Sequence, residues 1–490
     1  MPEWSKYQRD IFSFVEEHPE RSLLVKARAG SGKSTVIKEI ARRISTKRKI
    51  LVCAFNASTR EALTKAIKQP NTNIQTFNQV GFRAVLRVWG NLTVEADRQQ
   101  QILAAIMPGG KLAPEGSIGD MRKLITLAMS RLAKTDQDFI DIMDNYECAP
   151  RDPKDVERYI GWARETLRRS QEKTGVISFA DQVYLPIAMG LGLPQYDDVL
   201  VDEAQDCNPL QLALIRGSVK PEGRLIAVGD PQQAIYSFLG SDLDTLDQLV
   251  AATDMHTLPL SVCYRCPEKV VELAKNIVDD LQAAPGAIEG EVVQASYNQL
   301  LQEARSGDLI ISRSNAALVE TLLGLLKEKK AAYIMGRDES ASLEAFLRKV
   351  GGNTFKEFYE RMSEYVARES ERLAMAGKDG QVGALLDKQE MLIALGEGLS
   401  TIDQLQTRIR TIFGDIKNPP PGAIVLASVH KSKGLEYRRV WMLESTFRLR
   451  GPEDENLYYV AVTRAKETLF LVQLPGKNGV VPDSITDQWR

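Results

Sequence analysis

Three short stretches of this 490-residue chain carry side chains whose types and spacing suit phosphate chemistry. The first, Lys26-Ala27-Arg28-Ala29-Gly30-Ser31-Gly32-Lys33-Ser34-Thr35, follows the apolar run Leu23-Leu24-Val25 and opens a helical pattern through Val36, Ile37, Ile40 and Ile44. Glycines at 30 and 32 let backbone N–H groups turn into a concave anion nest, and the helix start behind them adds partial positive charge. Lys33 would neutralise the β- and γ-phosphates of ATP, and Ser34 would offer its hydroxyl to Mg2+, a cation that prefers oxygen ligands. The strict form of such a loop begins with glycine, where this chain has Ala27. The second stretch, Asp202-Glu203-Ala204-Gln205-Asp206, places adjacent carboxylates after Val199-Leu200-Val201, at a strand end where α/β sheets bind ligands. Asp202 suits a metal contact, and Glu203 would orient or deprotonate the water attacking the γ-phosphate. The third, Gly229-Asp230-Pro231-Gln232-Gln233, ends another strand run and offers the Gln233 amide to the terminal phosphate.

The elements that must hold these residues are legible as apolar runs of strand length, each followed by a polar or Gly-rich segment and a helical pattern. Besides 23–25 they are Ile50-Leu51-Val52, Val199-Leu200-Val201, Leu225-Ile226-Ala227-Val228, Leu309-Ile310-Ile311, Ile424-Val425-Leu426, Val440-Trp441-Met442-Leu443 and Leu469-Phe470-Leu471-Val472. They fall into two groups, which predicts two α/β domains with parallel sheets. Between the runs, residues 88–178 and 341–418 show helical spacing and predict mainly helical insertions. The domains are then 1–87 with 179–258, and 259–340 with 419–490. Pro419-Pro420-Pro421-Gly422 would end the second insertion.

Charge is balanced, 63 basic against 65 acidic residues, so any nucleic acid must be held by a local groove. Five scattered cysteines suit reduced thiols; Cys263-x-x-Cys266 supplies only half a zinc site and reads as structural. The run from Arg42-Arg43 to Lys47-Arg48-Lys49 reads as a solvated helix end. The N-terminus lacks a signal-peptide pattern and no apolar run is long enough to span a bilayer, so a cytoplasmic protein with no membrane partner is expected.

Further segments come in a fixed order: Val228-Gly229-Asp230-Pro231-Gln232-Gln233-Ala234-Ile235-Tyr236, Tyr264-Arg265, His430-Lys431-Ser432-Lys433-Gly434-Leu435-Glu436 and Tyr459-Val460-Ala461-Val462-Thr463-Arg464-Ala465. Together with the first three, this ordered set resembles the UvrD/Rep/PcrA-like superfamily 1 helicases over nearly the whole chain, with local features of the F-box helicase branch. The resemblance implies two RecA-like domains and an ATP-driven motor on single-stranded DNA, moving 3′ to 5′. It implies that Gln8 reads the adenine edge, that Tyr264 packs on the base, and that Arg265 and Arg464 are arginine fingers. Glu436 would lie near the ribose and Mg2+, though an acidic residue there equally suits a solvated strand end. Strand contacts implied by the resemblance are Phe55, Asn56, Thr76, Phe77, Asn78, Tyr236, Phe238 and His430, with Phe77 and Phe238 the foremost stacking candidates.

The chain departs from the family at Asn78-Gln79, where histidine and serine are common, and at Leu239, where arginine is common. The second insertion is short for the family and lacks its Gly-rich duplex-contacting motif, and the chain ends soon after Arg464, so neither a nuclease domain nor a long partner-binding tail is expected. Two other readings follow: an ATPase subunit gated by a protein partner, and a binding module with a degenerate nucleotide site, which the intact Lys33, Glu203, Arg265 and Arg464 oppose. RNA in place of DNA as the track is a further alternative.

Overall fold

A computed structural model of the chain describes residues 3–107, 118–150, 152–335, 337–352, 354–375, 378–413, 422–475 and 485. The chain divides into two compact units, Met1–Val262 and Cys263–Arg490. The expected turn at Pro419-Pro420-Pro421 lies outside the described residues.

The first unit is built on a six-stranded sheet with order β3-β2-β4-β5-β1-β6. Its strands are β1 (Leu23–Ala27), β2 (Ile50–Ala54), β3 (Thr72–Thr76), β4 (Tyr196–Val201), β5 (Val219–Gly229) and β6 (His256–Leu260). All the pairings are parallel. Side chains alternate across the sheet, and both faces are covered. Leu23, Val25, Val52, Leu200, Ile226 and Val228 pack under α1 (Lys6–Glu17) and α2 (Lys33–Arg43). Leu24, Leu51, Cys53, Val199, Val201 and Ala227 pack on the other side, with α3 (Phe77–Trp89) and helices of the first insertion. Burial on two faces is why the central strands read as continuous apolar runs.

The first insertion consists of helices Arg98–Ile106, Ile118–Arg131, Asp136–Asn145 and Val156–Ser170, bracketed by a small parallel pair, Thr93–Val94 with Val176–Ile177. The sheet itself runs past residue 258, where the domain was expected to end, because Pro259 and Leu260 stay in register with Lys26 and Ala27.

Polar groups inside the first unit fix α1 on the sheet. Arg224 of β5 donates through Nε to Asp198 of β4 at 2.7 Å, and through Nη1 to the carbonyls of Val15 and His18 at 2.9 and 2.7 Å. Arg48 reaches the other Asp198 oxygen at 2.5 Å. Arg224 and Asp198 are both buried, so the carboxylate is satisfied by the two arginines and the Arg224 guanidinium by the carboxylate and the helix end.

The second unit carries its own six-stranded parallel sheet, order β7-β12-β11-β8-β10-β9. The strands are β7 (Glu291–Ser296), β8 (Leu309–Ser312), β9 (Ala332–Ile334), β10 (Ile424–Ser428), β11 (Tyr437–Leu443) and β12 (Ala465–Gln473). Its insertion is helical, Arg337–Val350, Phe355–Met375, Asp379–Gly396 and Ile402–Phe413, and shares one core with the sheet through Phe358, Met362, Leu392 and Ile409. The molecule therefore contains two parallel-sheet α/β domains, as the grouped strand runs predict. Among the described residues, no helix is long and apolar enough to cross a membrane.

Candidate nucleotide site and strand-contact residues

The phosphate loop leaves β1, a strand hydrogen-bonded on both sides, so its starting point is rigid. Gly30 and Gly32 have φ of 67° and 84°, left-handed values that glycine adopts without a Cβ penalty. Gly32 caps α2, whose Val36, Ile37, Ile40 and Ala41 face the core and aim the helix start at the loop. The Ser31 hydroxyl is buried and has no hydrogen-bond partner, a polar atom in the loop still open to a ligand. Gln8, third residue of α1, is fixed by a capping box with Ser5. Its Nε2 lies 3.8 Å from where a Gly32 Cβ would be, so Gln8 does sit beside the loop.

Two residues of the expected loop do other work. Ala27 is the last residue of β1, fully buried and in register with Leu260, so its side chain supports the loop from below and offers no group to a nucleotide. Arg28 gives its N–H to the Leu260 carbonyl at 3.0 Å, and its guanidinium turns to Gln232, with Asp230 at 3.7 Å. Ala29 is buried, while Ser34 and Thr35 are exposed at the start of α2.

The acidic strand end meets this loop. The Lys33 ammonium lies 3.1 Å from Glu203 Oε2, and the Ser34 hydroxyl donates to Asp202 Oδ2 at 3.5 Å. Burial lowers the Lys33 pKa, but the carboxylates of Glu203, Asp230 and Asp202 outweigh it and hold it above its ordinary value. Burial, reinforced by Glu203, pushes the Asp202 carboxyl up, and burial likewise raises Asp230 against the pull of Lys33 and Arg28. Glu203 adopts φ 53°, a left-handed conformation that costs a non-glycine residue about 1–3 kcal/mol and clusters at functional sites. Its N–H donates to Asp202 Oδ1 at 3.0 Å, which helps hold that conformation. Gln233, in the turn Pro231–Gln233, donates through Nε2 to Asp230 Oδ2 at 2.7 Å. Lys33, Ser34, Asp202, Glu203, Asp230 and Gln233 are thus brought together on one unit.

These donors fit a nucleoside triphosphate: left-handed glycines, a helix start, an ammonium already among carboxylates and an unpaired buried hydroxyl. A hydroxyl and one carboxylate at Ser34 and Asp202 fit Mg2+, which keeps several waters and nucleotide oxygens among its ligands.

Of the strand candidates, three aromatic rings form a cluster. Phe55 stacks with Tyr236 at 6.2 Å and 10°, and Tyr236 meets Phe238 edge-on at 6.0 Å. Burial, with a smaller contribution from Asp206 and Glu203, pushes the Tyr236 phenol up to about 12, and Phe238 is 48% exposed. Phe77 is corrected: at 1% exposure it is a core residue at the start of α3 and offers no ring face to a base. Its neighbours cap helices instead, with Thr76 accepting from the Gln79 N–H and Asn56 from the Thr59 N–H at 2.8 Å. Asn78 donates to the carbonyl of Phe179 at 2.8 Å. Sequence reasoning missed Phe179, which is 62% exposed and is the most exposed of the large aromatic side chains described. The loop bearing it is anchored by Asp181, which accepts from Arg98 at 2.5 Å and from the Ser178 N–H at 2.8 Å, all three residues buried. A lone phenylalanine between a strand and a helix gave no periodic signal.

In the second unit Tyr264 is half-exposed, and Arg265 donates to Glu436 Oε2 at 2.8 Å and to the Thr463 carbonyl at 3.3 Å. Burial raises the Glu436 carboxyl, but Lys466 and Arg265 outweigh it and hold it below the ordinary range. Arg464 is fully buried and bound to the Val460 and Leu435 carbonyls and the Thr463 hydroxyl. His430 is half-buried in the short helix after β10. Cys263 accepts from the Cys266 N–H at 3.3 Å, and Cys266 donates to the Thr463 carbonyl at 3.6 Å. Among the described residues, no group of three or more His, Cys, Asp or Glu side chains is placed to hold a metal ion.

Comparison with known proteins agrees with this geometry. The UvrD/REP helicase N-terminal domain matches residues 8–253, and the UvrD-like helicase C-terminal domain matches residues 423–472. F-box DNA helicase 1 of Gallus gallus is 25% identical over 317 residues, covering 57% of this chain and 29% of that protein. ATP-dependent DNA helicase UvrD1 of Mycobacterium leprae is 24% identical over 301 residues, 53% of this chain and 38% of that protein. A probable DNA helicase II homolog of Mycoplasma capricolum is 25% identical over 287 residues, 53% of this chain and 39% of that protein. The chain spans about a third of the length of these relatives. A solved arterivirus nonstructural protein 10 helicase covers 94% of this chain and 61% of its own at 12% identity, but its TM-score of 0.34 carries no argument. Since the N-terminal domain match alone takes in half of its residues, the chain belongs to the UvrD/REP helicase family.

Proposed function

We propose that this protein is an ATP-dependent motor on single-stranded DNA, a helicase or translocase moving 3′ to 5′. The observation that carries the reading is the continuity of one segment: Asp230 and Gln233 touch the phosphate-binding cluster, and three to five residues later Tyr236 and Phe238 present aromatic rings. A nucleotide event and a strand contact thus share one short piece of backbone.

In this reading the nest at 28–32 and the start of α2 hold the β- and γ-phosphates, with Lys33 leaving Glu203 to neutralise them. Bound Mg2+, held through Ser34 and Asp202, supplies charge neutralisation at the phosphates. Glu203, relieved of Lys33, takes up the proton of the attacking water, and Gln233 hydrogen-bonds the terminal phosphate. Gln8 recognises the adenine edge and Tyr264 packs on its face. Arg265 and Arg464 stabilise transition-state charge, Arg265 by exchanging the Glu436 carboxylate for the γ-phosphate. That exchange couples turnover to closure and opening of the cleft between the two domains, which moves a strand held by Phe55, Tyr236, Phe238, Phe179 and His430. The domain boundaries proposed from the sequence, with the first domain carried on through Leu260 and each domain holding a helical insertion, accompany this reading. The short second insertion favours a second reading, an ATPase gated by a protein partner with little unwinding of its own.

The test is steady-state ATP hydrolysis with and without single-stranded DNA, with Glu203→Gln as control. Strong stimulation lost in the variant is expected; turnover indifferent to DNA would redirect the reading to RNA or to a partner-gated switch.

A further inference from the structure

The turn that carries Gln233 is held from two sides by side chains to which the reaction gives no direct part. On one side stands Gln205. Its Nε2 donates to Glu203 Oε2 at 2.7 Å and to Asp206 Oδ2 at 3.3 Å, while its Oε1 accepts the Asp230 N–H at 3.0 Å. The amide cannot be reversed, because its NH2 would then face the Asp230 N–H and its oxygen the Glu203 carboxylate. The approach is so close that a Cβ on Gly229 would stand 2.6 Å from Gln205 Oε1, so only glycine leaves room. Gln205 is 1% exposed, and low polarity strengthens each of these bonds.

On the other side stands Arg28, whose guanidinium bonds Gln232 and lies 3.7 Å from the buried Asp230. The carboxylate of Asp230 in turn receives the Gln232 N–H at 3.2 Å and Gln233 Nε2 at 2.7 Å. A shift of the 230–238 segment therefore pulls on Glu203 through Gln205 and on the phosphate loop through Arg28.

We infer that Gln205 and Arg28 are positioning residues, a two-sided clamp through which a strand bound at Tyr236 and Phe238 sets Glu203 and the phosphate loop for hydrolysis. The inference rests on the ATP-and-DNA reading above. Gln205 stays on Glu203 Oε2 when Lys33 turns to the phosphates, so it carries the strand's influence at the moment of reaction.

The test measures ATPase activity of the whole chain with and without saturating oligo-dT, together with ATP KM and oligo-dT affinity. Gln205→Met removes all three hydrogen bonds at similar volume, and Gln205→Glu keeps the size and the acceptor but loses the donor. Gln232→Ala removes the Gln232 partner of Arg28 while leaving Asp230 in place, and Gln232→Glu restores an acceptor at that position. Loss of a positioning hydrogen bond should lower the stimulation ratio about tenfold in Gln205→Met, Gln205→Glu and Gln232→Ala, with Gln232→Glu near wild type. ATP KM and strand affinity should stay within about twofold, a split that a general loss of folding would not give. Wild-type stimulation in Gln205→Met and Gln232→Ala, or equal loss in Gln232→Ala and Gln232→Glu, overturns the clamp and leaves the motor reading standing. An unstimulated wild type overturns both.

Discussion

Replacing Phe238 and Phe77 by alanine, one at a time, separates strand binding from folding, because the two rings occupy opposite environments. Phe238 is 48% exposed and touches Tyr236 edge-on, so its removal uncovers little core. If a base stacks on it, the loss is about 1–3 kcal/mol of strand affinity, or between about fivefold and about 150-fold in Kd at 25 °C. Phe77 is 1% exposed among Leu24, Cys53, Val80 and Trp89, so truncation leaves a cavity and costs about 3–5 kcal/mol of stability. Strand affinity per folded molecule should be unchanged. The assay is fluorescence anisotropy of labelled oligo-dT at fixed salt, since phosphate contacts make affinity salt-dependent. Urea unfolding followed by circular dichroism measures the folded fraction at each step. A Phe238→Ala protein that binds like wild type, or a folded Phe77→Ala protein with weakened binding, would refute the assignment of the two rings.

Three further outcomes follow from the same contacts. Asp181→Ala leaves the buried Arg98 without its carboxylate, which should cost about 3–5 kcal/mol in urea unfolding of the first unit and weaken oligo-dT binding by freeing the loop of Phe179. Arg224→Met strands the buried Asp198 with Arg48 alone of its two arginine partners and releases the end of α1. A loss of about 3 kcal/mol or more in stability is expected, with a raised ATP KM through Gln8. Removing Mg2+ with a chelator should abolish hydrolysis while leaving the unfolding midpoint of the nucleotide-free protein unchanged, because Ser34 and Asp202 already partner each other.

What could be read from the sequence follows the position of each strand in its sheet. The eight apolar runs became the eight central strands, whose two buried faces demand unbroken Val, Ile and Leu. In the two six-stranded sheets, the four strands that gave no such run are the edges: Thr72–Thr76, His256–Leu260, Glu291–Ser296 and Ala332–Ile334. Edge strands are half-solvated and tolerate Thr, Gln, Glu and Pro, as Pro259 shows, so their composition resembles a loop. The residues that gather at the phosphate loop, Lys33, Ser34, Asp202, Glu203 and Gln233, were legible because each ends or follows a strand run in a compact motif. The role of Phe77 was not, since a phenylalanine after a strand reads alike whether it faces a base or a core. Gln205 and Arg28 were visible only as members of motifs; their partners lie 25 and 204 residues away, beyond any local pattern.

The placement of β1 has a consequence for how the protein is made. This strand emerges among the first 27 residues, yet its two neighbours are β5, ending at Gly229, and β6, ending at Leu260. During synthesis the phosphate loop thus waits for the chain to reach Gly229 before one flank of its strand is paired, and Leu260 before the other. The Arg28 N–H finds its carbonyl only when Leu260 has cleared the ribosome. Such distant parallel pairing is slow to form and leaves apolar edges open meanwhile, so the nascent first domain is exposed to misassociation until the late strands arrive. A separately expressed first domain must likewise run through Leu260, because any shorter piece carries the nucleotide loop on an unpaired edge.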